Sequence, residues 1–108
     1  FMHDQRVELV NRADVAVALQ AAVLQQTAHN HVYNIAGGPT WQMRGHEYVE
    51  AVFRVLDIPI EDAVYRQTPW WSDWYDTAEP EAALHYQRTT FEEYLAQLDA
   101  AVREALGL

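Results

Sequence analysis

Cysteine and lysine are both missing from the 108 residues of this chain. Without cysteine there are no disulfides, no thiolate nucleophile and no cysteine-based zinc site. Without lysine, chemistry that needs an ammonium side chain is excluded within these residues. No apolar run approaches the roughly 20 residues of a membrane span, and no signal peptide is visible, so a cytoplasmic protein is expected. Positive charge is scarce as well. Seven arginines face sixteen Asp and Glu, for a formal charge of −9. Such a field repels polyanions, which argues against nucleic acid or an anionic membrane surface as partner.

What is present supports a folded domain. Half of the residues are hydrophobic and 12% are aromatic, which suits one packed core over residues 1–108 and not two. Phe1 precedes Met2, and the chain enters almost directly into a strand-like run. The expectation is a piece of a longer polypeptide.

Local signals predict a mixed α/β fold with three or four helices and two or three short strands. Arg6–Val10 alternates and suits a strand. Asn11 offers an N-cap for a helix running to about Thr27, with Val15, Leu19, Ala22 and Val23 on one face. Val32–Ala36 reads as a second strand, stopped by Gly37-Gly38-Pro39. Thr40 is a candidate cap for the next segment. Val49, Val52, Phe53 and Leu56 follow i, i+3, i+4, i+7 spacing and predict a helix over Arg44–Leu56, which Pro59 prevents from continuing. Ala63–Arg66 is a candidate third strand, and Thr68–Asp76 an aromatic loop. Thr77 and Pro80 suit a short helix ending near Leu84. Thr90-Phe-Glu-Glu93 is a capping box, opening a helix whose face uses Tyr94, Leu95, Leu98, Val102 and Leu106.

The run His31-Val-Tyr-Asn-Ile-Ala-Gly-Gly-Pro-Thr40 has the outline of a phosphate-binding loop. It matches neither G-x-G-x-x-G nor the lysine-containing P-loop, so a tight turn after a buried strand is the better reading. Trp70-Trp-Ser-Asp-Trp-Tyr-Asp76 offers either an aromatic platform for a sugar or base, or a clamp packing the loop down. His29 and His31 share a strand face only if the strand starts early, and they have no third ligand nearby. Asp73, Asp76, Glu79 and Glu81 lack the spacing of a calcium loop. No metal site is therefore expected. Arg66 and Arg6 are candidates for bidentate diphosphate binding, with a surface ion pair as the alternative.

Several segments, in order, resemble the carboxy-terminal third of the extended short-chain dehydrogenase/reductases, the NAD-dependent epimerase/dehydratase family. Val10-Asn-Arg-Ala-Asp-Val-Ala16 resembles its "hV-x-D-v-A" segment, and Val32-Tyr-Asn-Ile-Ala-Gly-Gly38 its "vyNigGG" strand and turn. The helix ending at Leu56, with Ile58-Pro59, is similar to "e-l-G-x-P". Trp74-Tyr-Asp-Thr77, Leu84-His-Tyr-Gln87 and Thr90-Phe-Glu-Glu-Tyr-Leu95 are similar to the family's ending. The likeness spans nearly the whole chain. Asn11 replaces a histidine, Glu79 a lysine, and Asp57 and His85 stand where glycines are common.

The resemblance implies the substrate-binding part of a nucleotide-sugar epimerase, dehydratase or reductase that uses NAD or NADP. The family's cofactor loop and Tyr-x-x-x-Lys pair belong to its amino-terminal half, so no cofactor is expected to bind these residues and no catalysis is expected from them alone. Arg66 matches the spacing of a diphosphate-contacting arginine, and Arg6 lies one position from a second. Arg66, Trp70, Trp71 and Trp74 are the implied substrate contacts. An uncovered edge at Val32–Ala36 implies self-association. A stand-alone binding or protein-interaction module derived from the same region is the alternative.

Overall fold

Asn11 starts the first helix as its type predicts. Its side-chain oxygen accepts from the Ala13 N–H at 2.8 Å, capping α1 over Arg12–Leu24. The computed structural model, which describes all 108 residues, places four helices and a two-stranded antiparallel sheet in one mixed α/β unit. Ahead of α1 lies β1 (Arg6–Glu8), and β2 (Gln42–Arg44) leads into α2 (Gly45–Leu56). The short α3 (Ala78–Leu84) and the long α4 (Phe91–Leu106) complete the order. The strands pair Arg6 with Arg44, Val7 with Met43 and Glu8 with Gln42.

Helix α2 follows its hydrophobic stripe. Glu47 accepts from the Arg44 N–H at 2.8 Å at its start, and Asp57 ends it in the left-handed region at φ 56°. His85 closes α3 the same way at φ 48°. These two positions are where the resemblance expects glycine, and the backbone adopts the conformation that favours glycine. Thr90 caps α4 by accepting from the Glu93 N–H at 3.1 Å, one half of the expected capping box.

Four expectations are corrected. Helix α1 does not bury Leu19 and Val23, which are 65% and 75% exposed. It buries Asp14 and Ala18, with Val17, Ala21 and Ala22 beside them, against Ala28, Leu84 and Tyr86. Apolar residues circle this helix, so periodicity could not choose the inward face. Val32–Ala36 is extended but not a strand, because none of its backbone groups bonds to another backbone. The Tyr86 hydroxyl instead accepts from the Ala36 N–H and donates to its carbonyl. Ala63–Arg66 is likewise not a strand; its one tie outside its own turn is the Arg66 N–H donated to the Phe1 carbonyl at 3.1 Å. Thr40 caps nothing, lying in a 3-10 turn at Pro39–Trp41, and it accepts from the Phe91 N–H at 3.3 Å. Strand β2 carried no signal, being three residues long and mostly polar.

Asp14 joins the two ends of the fold. Its carboxylate accepts from the Arg88 and Thr89 N–H groups at 3.0 and 2.9 Å and from the Thr89 hydroxyl at 2.9 Å. Trp41 is buried with Val7 and Met43. Its indole donates to the Thr89 carbonyl at 2.8 Å, and its ring packs on Phe91 and Tyr94.

The result is a slab of 48 × 38 × 16 Å. Its radius of gyration is 16.1 Å, against about 13 Å for a globular chain of this length.

Candidate functional site

The glycine turn is filled by its own chain. The Gly38 N–H, φ +90°, donates to Glu8 Oε2 at 3.0 Å, so a carboxylate holds the donor that a phosphate loop would offer. A Cβ at Gly37 would strike the Leu9 carbonyl and the Trp41 ring. The glycines permit a close approach of backbone and indole, in keeping with the turn reading.

The aromatic loop is laid along β1 by side chains. Gln5 Oε1 accepts from the Trp70 N–H at 3.3 Å, while its amide donates to the Trp70 carbonyl and to Ser72 Oγ. Ser72 in turn donates to the Arg6 carbonyl at 2.9 Å, and the Tyr75 N–H donates to Glu8 Oε1 at 3.0 Å. This segment has the position of a third strand without its backbone ladder.

Three of the seven arginines gather on this loop. Arg6 and Arg44 are cross-strand partners, and both guanidinium groups lie over the Trp74 ring, 4.7 and 5.4 Å from its centroid. The Trp74 indole N–H is fixed by the Met43 carbonyl at 3.1 Å. Arg66 lies 4.8 Å over the Trp70 ring. Stacking of this kind contributes about 0.5–1 kcal/mol at exposed sites and leaves guanidinium edges available.

The ion-pair alternative separates the two candidate arginines. Arg6 approaches Asp73 at 3.6 Å with both side chains exposed. Arg66 has no carboxylate within 4.0 Å, and its guanidinium donates only to Thr68 Oγ1 at 3.2 Å. It stands in the wall of a cavity of about 680 Å³ formed by residues 2–5 and 63–67.

The structure brings Arg66 and Trp70 together and places Trp74 separately, beside Arg6 and Arg44. Trp71 joins neither, projecting into solvent at 95% exposure. A larger cavity, about 890 Å³, lies elsewhere, with Asn11, Arg12, Trp41, Tyr48 and Tyr94 in its wall. Burial, then the neighbouring Tyr94, raises the Tyr48 hydroxyl above its ordinary pKa of 10.0. Sequence reading named none of these as site residues, because they come from four separate segments.

Three of the four acidic candidates are occupied locally, and Glu79 is exposed in the first turn of α3. Asp73 accepts from the Trp74 N–H, Asp76 from the Ala78 N–H, and Glu81 from Tyr86 and Gln87. His29 approaches the Val23 carbonyl and His31 stacks on Tyr33, so the two imidazoles serve different neighbours.

No protein-family model matches the chain, and comparisons with curated proteins and with solved structures find no match.

Proposed function

We propose that this chain is the substrate-binding carboxy-terminal part of an NAD(P)-dependent nucleotide-sugar epimerase, dehydratase or reductase, silent in catalysis on its own. One observation carries the reading: Arg66, free of any carboxylate partner, is stacked on Trp70 at the wall of a solvent-open cavity. In a chain of net charge −9, an unpaired guanidinium held by an aromatic face is suited to a diphosphate, which it meets with two parallel N–H donors. Arg6 and Arg44 on Trp74 extend the same cationic, aromatic surface.

The residues present do not fit a nicotinamide dinucleotide. The glycine turn is closed by Glu8 and Trp41, and no lysine is available to partner a catalytic tyrosine. The cofactor and the hydride chemistry therefore belong to polypeptide outside these residues. Arg66 and Trp70, with Trp74 beside Arg6 and Arg44, hold and orient substrate for it.

The shape supports association with a second layer. The accessible surface is 7537 Å², whereas a compact monomer of this mass exposes about 6,200 Å². The surplus, on the order of 1,300 Å², matches one side of a substantial interface. It includes Val32 at 99% exposure, on an extended segment whose backbone has no strand partner. Pairing of that segment between copies gives a homo-oligomer. Sedimentation equilibrium at high concentration is expected to show self-association, and a monomer there refutes it.

Nucleotide-sugar titration of the full-length protein, read by tryptophan fluorescence, tests the site. At least one member of a panel of nucleotide-sugars is expected to quench the signal, and Arg66→Ala to weaken its binding about tenfold, the worth of one charge-assisted contact. No response at millimolar ligand overturns the reading. Trp71, exposed and without a partner, favours a second reading, a protein-interaction module. Codons upstream of Phe1 separate the two: G-x-G-x-x-G and Tyr-x-x-x-Lys are expected there under the first.

A further inference from the structure

The amino-terminal segment crosses the start of α2 and is tied there by backbone. The His46 N–H donates to the His3 carbonyl at 2.8 Å, and the Gly45 N–H to the Gln5 carbonyl at 2.8 Å. Arg44 Nη1 donates to the Asp4 carbonyl at 3.1 Å. These bonds hold residues 3–5 in place before any side chain acts. They bring His3 and Asp4 into one cluster with His46, which lies 43 positions beyond His3.

The cluster has the composition and spacing of a metal-ligand set. His3 Nδ1 lies 2.8 Å from Asp4 Oδ1, and His46 Nδ1 lies 3.6 Å from the same oxygen. One donor atom from each residue falls within 4.8 Å of the other two. Tetrahedral coordination with bonds of about 2.0–2.1 Å requires ligand–ligand distances of about 3.3 Å, close to the 3.6 Å between His46 Nδ1 and Asp4 Oδ1. The Asp4 carboxylate bonds to nothing but these imidazoles, and it supplies negative charge against the positive end of α2.

We propose that His3, Asp4 and His46 bind a divalent zinc-type ion, with water as fourth ligand. Two imidazoles and one carboxylate suit zinc over the oxygen-seeking magnesium and calcium. His46 Nδ1 lies 3.0 Å from the His3 carbonyl and His3 Nδ1 faces the carboxylate, contacts that an ion held through Nδ1 would replace. Coordination through Nδ1 would require the Nε2–H tautomer of each ring, with the Nδ1 lone pair turned to the ion. The rings are stacked 4.2 Å apart at 7°, and a metal must lie in the plane of each. Coordination therefore turns His3, the more exposed ring, out of the stack. The ion then ties the amino-terminal segment, and with it the wall of the Arg66 cavity that His3 and Asp4 help to form, to helix α2.

Calorimetric titration of the chain with ZnCl2 tests this. One ion per chain is expected at micromolar affinity, with displaced His3 and His46 ring-proton resonances and a melting midpoint raised by several degrees. His46→Gln and Asp4→Asn are each expected to weaken binding at least tenfold with circular dichroism unchanged, while His31→Gln leaves it intact. Binding weaker than millimolar, binding that survives His46→Gln, or binding lost with His31→Gln overturns the assignment. His46 lies far along the chain from residues 3 and 4, so its variant also separates this site from metal capture by the amino terminus alone.

Discussion

Tyr86→Phe isolates a single oxygen in the best-buried side chain of the fold. Tyr86 is 0% exposed. Its hydroxyl accepts from the Ala36 N–H at 3.1 Å and donates to the Ala36 carbonyl at 2.6 Å, standing in for the strand that residues 32–36 lack. Phenylalanine keeps the ring and its packing on Ala18, Ala28 and Leu84. The Ala36 carbonyl keeps a donor, because the Gln87 amide reaches it at 3.2 Å. The Ala36 N–H keeps none and is buried beyond water. An orphaned buried donor costs about 1–3 kcal/mol, and one net hydrogen bond is worth about 1 kcal/mol. The expected loss is therefore about 2–4 kcal/mol, or a midpoint lowered by roughly 8–16 °C in a domain of this size. Urea unfolding followed by tryptophan fluorescence measures it, with the slope unchanged. Adding Gln87→Ala strips the carbonyl as well, so the double variant is expected to lose more than the two singles together. Tyr75→Phe, at a half-exposed ring, is expected to stay within about 0.5 kcal/mol. A cost below about 0.5 kcal/mol for Tyr86→Phe refutes the claim that this hydroxyl anchors the segment.

Asp14→Ala removes three hydrogen bonds at once from the loop ahead of α4. About 3–4 kcal/mol is expected by the same urea assay, with Asp14→Asn intermediate. Gly37→Ala forces a Cβ into the Leu9 carbonyl and the Trp41 ring, so a loss of about 3 kcal/mol or more is expected, read as failure to melt cooperatively. His85→Gly relieves a left-handed backbone at φ 48°, and a gain of about 0.5–1 kcal/mol in thermal unfolding checks it. Tyr48 has a folded pKa raised above 10.0 by burial and then by Tyr94. Above pH 10 the unfolded chain loses that proton first, so stability present at lower pH declines as pH rises. Tyr48→Phe is expected to reduce the alkaline loss, while Tyr65, also raised by burial and then Glu50, retains its share.

Short-range physics made parts of this molecule legible in one dimension. The Asn11 cap, the stripe of α2, the stop at Pro59, and the helices beginning after Thr77 and Thr90 each depend on residues within about one or two turns. Asp57 and His85 are different: the resemblance marked them only as departures from glycine, and the structure is what shows the left-handed backbone there. Composition alone set the −9 field and the absence of thiol and ammonium chemistry.

Long-range pairing decided the rest. Val32–Ala36 has the residues of a strand, but a strand exists only where another backbone lies beside it, and here Tyr86, fifty positions away, takes that place. Helix α1 is apolar on every side, so its buried face was chosen by Leu84 and Tyr86 arriving from the far end of the chain. Arg6 and Arg44 share Trp74 only because β1 and β2 pair in one register. His3, Asp4 and His46 meet for the same reason, since the segment leading into β1 must cross the start of the helix that leaves β2. Local energies act over a few residues and leave their mark in the order of amino acids. Sites assembled by chain crossing carry no such mark until the fold closes.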